Sequence, residues 1–379
     1  MNIQLYRYEP DKGWDTPPDA SLDSEQTLLI VFSGLEDRNL SAPLGMLRQQ
    51  FPLSCITGCS TAGEIYDAEL YLESLVVSVI RLSGTHIRMA IRTSDDTGNS
   101  LDAGKEIARE LEAPDLKAVF VLSEGLHVNG SQLVAGLNSV LDNHVVITGG
   151  LAGDGDRFSH TWLITGDTFD RACVSAIGFY GDRIKIAHGS RGGWSLLGFE
   201  KEVTRSEGNV LFELDGQPAL QIYKKYLGER ASGLPSTGLL FPLALRSDDR
   251  EGENRVRTIL SVDEDNQSIT FAGDIPQGSR VQLMHASVDR LIDGAAQAAA
   301  NTGIIGDSGE PVFSIAISCV GRRLVLGQRA EEEIESVMEQ LPPGTRQIGF
   351  YSYGELSPLA TGECDLHNQT MTLTLLKEA

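Results

Sequence analysis

Three glycine-rich turns carry the residue types in this chain best suited to holding a small charged molecule. The first is Gly58-Cys59-Ser60-Thr61-Ala62-Gly63-Glu64. The second, Gly149-Gly150-Leu151-Ala152-Gly153-Asp154, and the third, Gly349-Phe350-Tyr351-Ser352-Tyr353-Gly354-Glu355, also end on an acid. Glycine allows a tight turn or a close approach of backbone to ligand, and successive N–H groups can cradle a carboxylate. Ser60 and Thr61 add hydroxyl donors. Glu64, Asp154 and Glu355 could receive an ammonium group. The candidate ligand-binding set is therefore Gly58, Cys59, Ser60, Thr61, Gly63, Glu64, Gly149, Gly150, Asp154, Tyr351, Tyr353 and Glu355. The competing reading is three strand turns whose glycines serve geometry alone. Cys59 has no basic neighbour to stabilise a thiolate, so it reads as a small packing residue rather than a nucleophile.

The elements that would position these turns repeat along the chain. Each turn follows an apolar strand run and a helical pattern. In the first copy these are Thr27–Phe32 and Ala42–Gln50. In the second they are residues 119 to 122 and 131 to 141. In the third they are residues 312 to 318 and 331 to 341. Continuous apolar runs of this length suit buried strands, and a recurring unit suggests one device used several times. Residues 86 to 92 alternate cleanly and form a predicted hairpin with Leu75–Leu82. Thr370–Leu376 reads as a half-buried closing strand. Residues 1 to 26 are polar, with Pro17-Pro18, and read as an irregular lead-in. Pro218 suits a first helical turn and Gly228 the residue past its end. The expected class is α/β, in two domains, with mixed parallel and antiparallel sheets and repeated strand–helix–glycine-turn units. The expected boundaries are 1–26, 27–215 and 216–379.

Composition narrows the function. The 379 residues carry a formal net charge of −22. Nucleic acid and anionic membranes want a basic surface, so neither is expected as the main partner. No run approaches the length of a membrane span, and the start has no secretory pattern. Five scattered cysteines give no zinc spacing and point to reduced thiols in a cytoplasm. There is no Gly-x-Ser-x-Gly elbow, Walker lysine loop or His-Glu-x-x-His. Ser33-Gly34 and Ser123-Glu124-Gly125 stand at strand ends, but no base is visibly paired with them. A small-metabolite hydrolase or transferase and a passive scaffold remain the alternatives to a binding protein.

The residues Gly58-Cys59-Ser60-Thr61-Ala62-Gly63-Glu64-Ile65 resemble the signature of the FIST N domain. Leu214-Asp215-Gly216-Gln217-Pro218-Ala219, with Tyr223 and Gly228, is similar to the entry of the companion FIST C domain. Gln347 to Glu355 resembles that domain's last motif. The resemblance covers roughly residues 27 to 375. It implies a sensory module of signal transduction that binds small ligands such as amino acids, without established catalysis. For a haem-containing subset it implies nitric oxide sensing and control of a partner histidine kinase. This chain carries no kinase, receptor or cyclase segment, so a sensor of this kind would report to a separate protein.

His188 is the residue a haem version would use. Ile184, Ile186 and His188 share one strand face, and a neutral imidazole extending from an apolar wall suits an axial ligand. Arg191 could pair with a propionate and Trp194 could pack on the ring. The competing reading is a core histidine bonded to backbone. Without Cys-x-x-Cys-His the group would be non-covalent haem b. His144 and His160 are weaker ligand candidates.

Overall fold

The computed structural model describes residues 1–93, 99–165, 168–171, 173–246, 254–303 and 311–379. The chain begins with β1 (Asn2–Glu9), β2 (Thr27–Ser33), helix α1 (Asp37–Gln50) and β3 (Cys55–Ser60). The hairpin β4 (Glu64–Tyr66) and β5 (Glu69–Tyr71) follows, then β6 (Leu75–Arg81). The second unit repeats this order. It runs β7 (His86–Thr93), α2 (Ser100–Leu111), β8 (Leu116–Ser123), α3 (Gly130–Asn138) and β9 (Val146–Leu151). Its hairpin is β10 (Leu163–Thr165) and β11 (Thr168–Asp170), and it closes with β12 (Cys173–Tyr180).

The third unit starts with β13 (Ile184–Arg191). It is then interrupted by an eight-stranded sheet spanning Ser195 to His285, which carries α4 (Ala219–Leu227) and its own apolar core. The unit resumes with α5 (Val288–Asn301), β14 (Phe313–Cys319), α6 (Val320–Leu326), α7 (Ala330–Gln340) and β15 (Arg346–Ser352). The hairpin β16 (Gly354–Pro358) and β17 (Cys364–His367) and the strand β18 (Met371–Glu378) complete it.

Each unit builds one sheet, and the three sheets share one strand order. They run β11-β10-β3-β2-β6-β1, β17-β16-β9-β8-β12-β7 and β5-β4-β15-β14-β18-β13, the first with an added edge strand at Gly13–Trp14. In each, a parallel pair joined through helix lies beside an antiparallel returning strand. The hairpins are exchanged in a ring. The first unit lends β4–β5 to the third sheet, the second lends β10–β11 to the first, and the third lends β16–β17 to the second. The glycine turns are where the chain crosses between sheets.

The central strands β2, β8 and β14 are buried on both faces, as their continuous apolar runs require. Their inner faces meet in one core built from all three sheets, with Leu28, Phe32, Phe120, Ile177, Ile317 and Phe350 among its members. The Phe32 and Phe350 rings lie 4.6 Å apart. Helices cover the outer faces. α1 buries Leu40, Leu44 and Leu47 against the first sheet, and α2 and α3 pack together over the second.

The mixed-sheet α/β class and the repeated units are therefore as the sequence indicates. The lead-in is not irregular. Asn2–Glu9 pairs antiparallel with β6 along its length, and Ile3 and Leu5 turn into the central core. A strand with one main neighbour, whose second half is Tyr6-Arg7-Tyr8-Glu9, shows little apolar periodicity. The cut expected near residue 215 falls at the Asp215-Gly216 turn, inside the inserted sheet, where both residues have positive φ. No described helix is long and apolar enough to cross a membrane.

Candidate functional site

The three glycine turns converge. Ala62 N–H donates to the Tyr351 carbonyl at 2.8 Å, Gly153 N–H to Ser60 at 3.0 Å, and Tyr353 N–H to Leu151 at 3.1 Å. These three bonds form a ring in which each turn holds the next. Gly58, Gly149 and Gly349 occupy corresponding places in the strands leading to the turns. At each, an added Cβ would overlap the carbonyl oxygen of the parallel neighbour, at Val31, Val121 and Ala316 respectively. Their glycines are required by close approach of two strands.

Most of the acids and aromatics in the turns serve this junction. Glu64 is fully buried and receives the Thr61 hydroxyl and, from Ser74, the N–H at 3.1 Å and the hydroxyl at 2.7 Å. Glu355 is its counterpart, bound by the Ser352 hydroxyl at 2.7 Å and the Thr370 N–H at 3.1 Å. Burial pushes the Glu64 carboxyl up to about 7 and that of Glu355 up to about 8, against hydrogen bonds that lower both. Neither lines an open cavity, so the expectation that they receive a ligand ammonium does not hold. Tyr351 donates to Glu333 at 2.7 Å, and Tyr353 donates to Asp154 while stacking on Phe158 at 4.5 Å. Cys59 is fully buried, and burial raises its thiol well above the usual range. Gly63 (φ +134°) packs against Leu70, Leu72 and Tyr351, and Gly150 against Ile317.

Ser60, Thr61 and Asp154 have a different setting. They border a cavity of about 430 Å3 at the carboxyl ends of β2 and β3. Carboxyl ends of adjacent parallel strands, with a helix start beside them, are where α/β sheets commonly bind ligands. One wall is the loop Ser33-Gly34-Leu35-Glu36 and the first turn of α1, whose N-cap Glu36 makes no side-chain cap hydrogen bond. Trp162, buried just before β10, donates its backbone N–H to the Ser60 hydroxyl at 3.0 Å. The other wall is the segment from Asp154 to Thr161, which the other two turns lack.

That segment is tied down by Asp154. Its carboxylate receives the N–H groups of Ser159 (3.0 Å) and His160 (2.8 Å) and the Tyr353 hydroxyl. Burial alone would raise this carboxyl, but these hydrogen bonds outweigh it and hold it below the usual carboxylate range. The rim is charged with both signs. His160 Nε2 lies 3.3 Å from Asp37 and 3.2 Å from Arg171, and Arg38 pairs with Glu36 at 2.8 Å. Arg157 stands 3.8 Å from Asp154. Arg38, Arg157 and Arg171 are all well exposed, so they can turn toward an incoming anion. Of these wall and rim residues, the sequence flagged Ser33-Gly34 and His160 as weak candidates. Asp37, Arg38, Arg157, Trp162 and Arg171 carried no signal.

A larger cavity, about 720 Å3, opens where the third unit meets the inserted sheet. Arg191 and Trp194 line it, with Arg290, Asp293 and His367. His188 is half-buried. It continues the face of Ile184 and Ile186 toward the central core, as its parity indicates. Burial, and then the charge of His367, lower its pKa. β13 pairs with β18 without a bulge, so His188 and Arg191 point to opposite faces of the strand. One flat group cannot meet both across that strand, and as a set His188, Arg191 and Trp194 do not fit a haem. His144 is exposed beside Asp142. Among the described residues no group of three or more His, Cys, Asp and Glu side chains is placed to hold a metal ion.

Two family models cover the chain. The FIST N domain matches residues 27–217 and the FIST C domain residues 219–358. An uncharacterized protein of Methanocaldococcus jannaschii, MJ1623, is 24% identical over 355 residues, taking in 86% of this chain and 65% of that protein. The chain thus spans just under two thirds of that relative's length. Among solved structures, a cyanuric acid hydrolase from A. caulinodans matches at a TM-score of 0.37 and 7% identity, over 99% of each chain. A likeness at that level carries no argument about activity.

Proposed function

The chain belongs to the FIST family of small-ligand-binding sensory domains, and from that premise we propose that its ligand seats in the cavity at the ends of β2 and β3. The observation that carries this reading is the open strand end itself. It combines uncapped first-turn N–H groups, the Ser60 hydroxyl, and a rim of arginines mixed with Glu36 and Asp37. A rim of both signs suits a small zwitterion of the amino-acid type. The walls belong to two different units, so an occupied cavity would bias how the Asp154–Thr161 segment sits on α1. That segment is the route by which a separate signalling protein would sense the ligand, in a cytoplasmic setting that all five free thiols suit.

The test is calorimetry with a panel of amino acids and related small anions. Removing two exposed arginines together, Arg157→Ala and Arg171→Ala, should weaken binding at least tenfold, since hydrogen bonds to charged groups are worth roughly 1.5–3 kcal/mol each. The fold should be unaffected, because both side chains are on the rim. Unchanged affinity in the double variant removes this cavity from consideration.

The narrower reading, haem at His188 sensing nitric oxide and controlling a histidine kinase, has one observation in its favour. The imidazole is half-buried, and burial lowers its pKa below the usual histidine range. Added haemin should then give a specific Soret shift that His188→Ala abolishes and His86→Ala does not. Identical spectra for wild type and His188→Ala end that reading without touching the cavity.

A further inference from the structure

A third cavity, about 440 Å3, lies between the inserted sheet and the third unit and shares no lining residue with the other two. Its walls are Leu197, Leu240 and Phe241 from the insert, Ala286 just past it, and Val325 from α6. Arg230 and His285 are the only lining residues able to carry charge, and neither is an acid. That is unusual in a chain with 53 acids and 31 lysines and arginines. The cavity at the ends of β2 and β3 has Glu36, Asp37 and Asp154 around it, and the largest cavity has Asp293.

Arg230 is held against the apolar wall. Its guanidinium carbon lies 5.3 Å from the centre of the Phe241 ring, a cation–π distance. Among the described residues no carboxylate pairs with it. Glu229, the preceding residue, is exposed and does not line the cavity. The wall itself is set before any ligand arrives. The buried Tyr223 donates its hydroxyl to the Phe241 carbonyl at 2.7 Å, and the Gln369 side-chain amide donates to the Leu239 carbonyl at 3.1 Å. The Thr237 hydroxyl donates to the Arg230 carbonyl at 3.0 Å. A preformed, mostly apolar cavity with a small number of polar groups is the usual form of a small-molecule site.

We propose that this cavity is a second ligand site, for a small carboxylic acid with an apolar chain. The chain lies along Leu197, Leu240 and Val325, and the carboxylate pairs with Arg230. One guanidinium neutralises one carboxylate and can bind both of its oxygens. The apolar walls remove the chain from water and leave the head group at the one cation with no acid partner. Because the walls come from the insert and from α6, a bound acid would tie the insert to the unit that carries it.

Calorimetry with butanoate, hexanoate and octanoate tests this, with octanol as the neutral control. Affinity should rise along the series by up to about fourfold for each methylene buried. Octanol should bind more weakly than octanoate by roughly tenfold or more, the worth of a hydrogen bond to a charged group. Phe199, 84% exposed on the same strand as Leu197, offers apolar surface that does not choose among head groups, and octanol measures that background. Arg230→Gln should bring octanoate down to the level of octanol and leave octanol unchanged. Leu197→Asp, which places an acid in the wall, should abolish octanoate binding. Both side chains reach solvent, so both variants should melt close to wild type. The Arg157→Ala, Arg171→Ala double variant should bind octanoate as wild type does, which separates this site from the one under Proposed function. Octanol binding as tightly as octanoate overturns the proposal. So does octanoate binding that survives Arg230→Gln and Leu197→Asp, that is lost in the Arg157, Arg171 double variant, or that is absent from wild type.

Discussion

Glu333→Ala is expected to destabilise the protein by about 3–5 kcal/mol, because it strands a buried guanidinium. Arg322 and Glu333 are both fully excluded from water and pair at 2.7 Å. The rest of Arg322 is committed to the carbonyls of Gly192 and Leu291, and Glu333 also accepts from Ser318 and Tyr351. The Tyr351 hydroxyl keeps the Ala330 carbonyl at 3.4 Å, so the cost is desolvation of a charge that has lost its carboxylate together with the Ser318 and Arg322 donors left without that acceptor. Urea unfolding of wild type, Glu333→Ala, Arg322→Ala and the double variant measures it. The double variant should lose clearly less than the two single losses added together, since removing both charges leaves neither stranded. Strict additivity would show that the pair does not act as a unit.

The second large effect is expected at a glycine. Gly149 has φ +149°, and a Cβ there would overlap the carbonyl of Val121 across the parallel pair β8–β9. Both strands are buried, and neither can withdraw without breaking the ladder that brings the second turn to the ring. Gly149→Ala should therefore cost roughly 3 kcal/mol or more, the upper end of overpacking penalties. Gly45 is the matched control. It sits on the exposed side of α1 with nothing within 4 Å of an added Cβ, and Gly45→Ala should stabilise by roughly 0.5–1 kcal/mol through helix propensity. Equal effects of the two substitutions in thermal unfolding would mean that Gly149 is not held by its neighbour.

Much of the scaffold was legible because its signals are local. The runs at Thr27–Phe32 and residues 119 to 122 and 312 to 318 are apolar without alternation, and each is a central strand buried on both faces. The glycine turns announced themselves by recurrence. What they do was harder to see, since a turn that presents N–H groups to a ligand and a turn that joins three sheets use the same residues. Burial separates the two roles. Glu64 and Glu355 are sealed inside, while Ser60 and Thr61 edge a cavity. The cavity itself was nearly invisible. Asp37, Arg157, His160, Trp162 and Arg171 come from two units, and the strand exchange that assembles them leaves no periodic trace. The local clues were Ser60, Thr61 and Asp154 in the turns, Ser33-Gly34 at a strand end, and His160 as a weaker histidine candidate.

The ring of lent hairpins also sets an order of assembly. The first sheet cannot be completed until β10–β11 has been made, and β4–β5 has no partner until β15 exists near the far end of the chain. Between those moments β4–β5 is an unpaired ribbon and β9 a bare edge, since its neighbour β16 comes later still. Pairings this distant in sequence are slow to form, and exposed edges invite association with other chains. A piece of the gene ending near residue 217 would carry this state permanently, however well the family boundary falls there. The ring closes only when the last hairpin is in place, and synthesis is the period in which the chain most needs protection from its own kind.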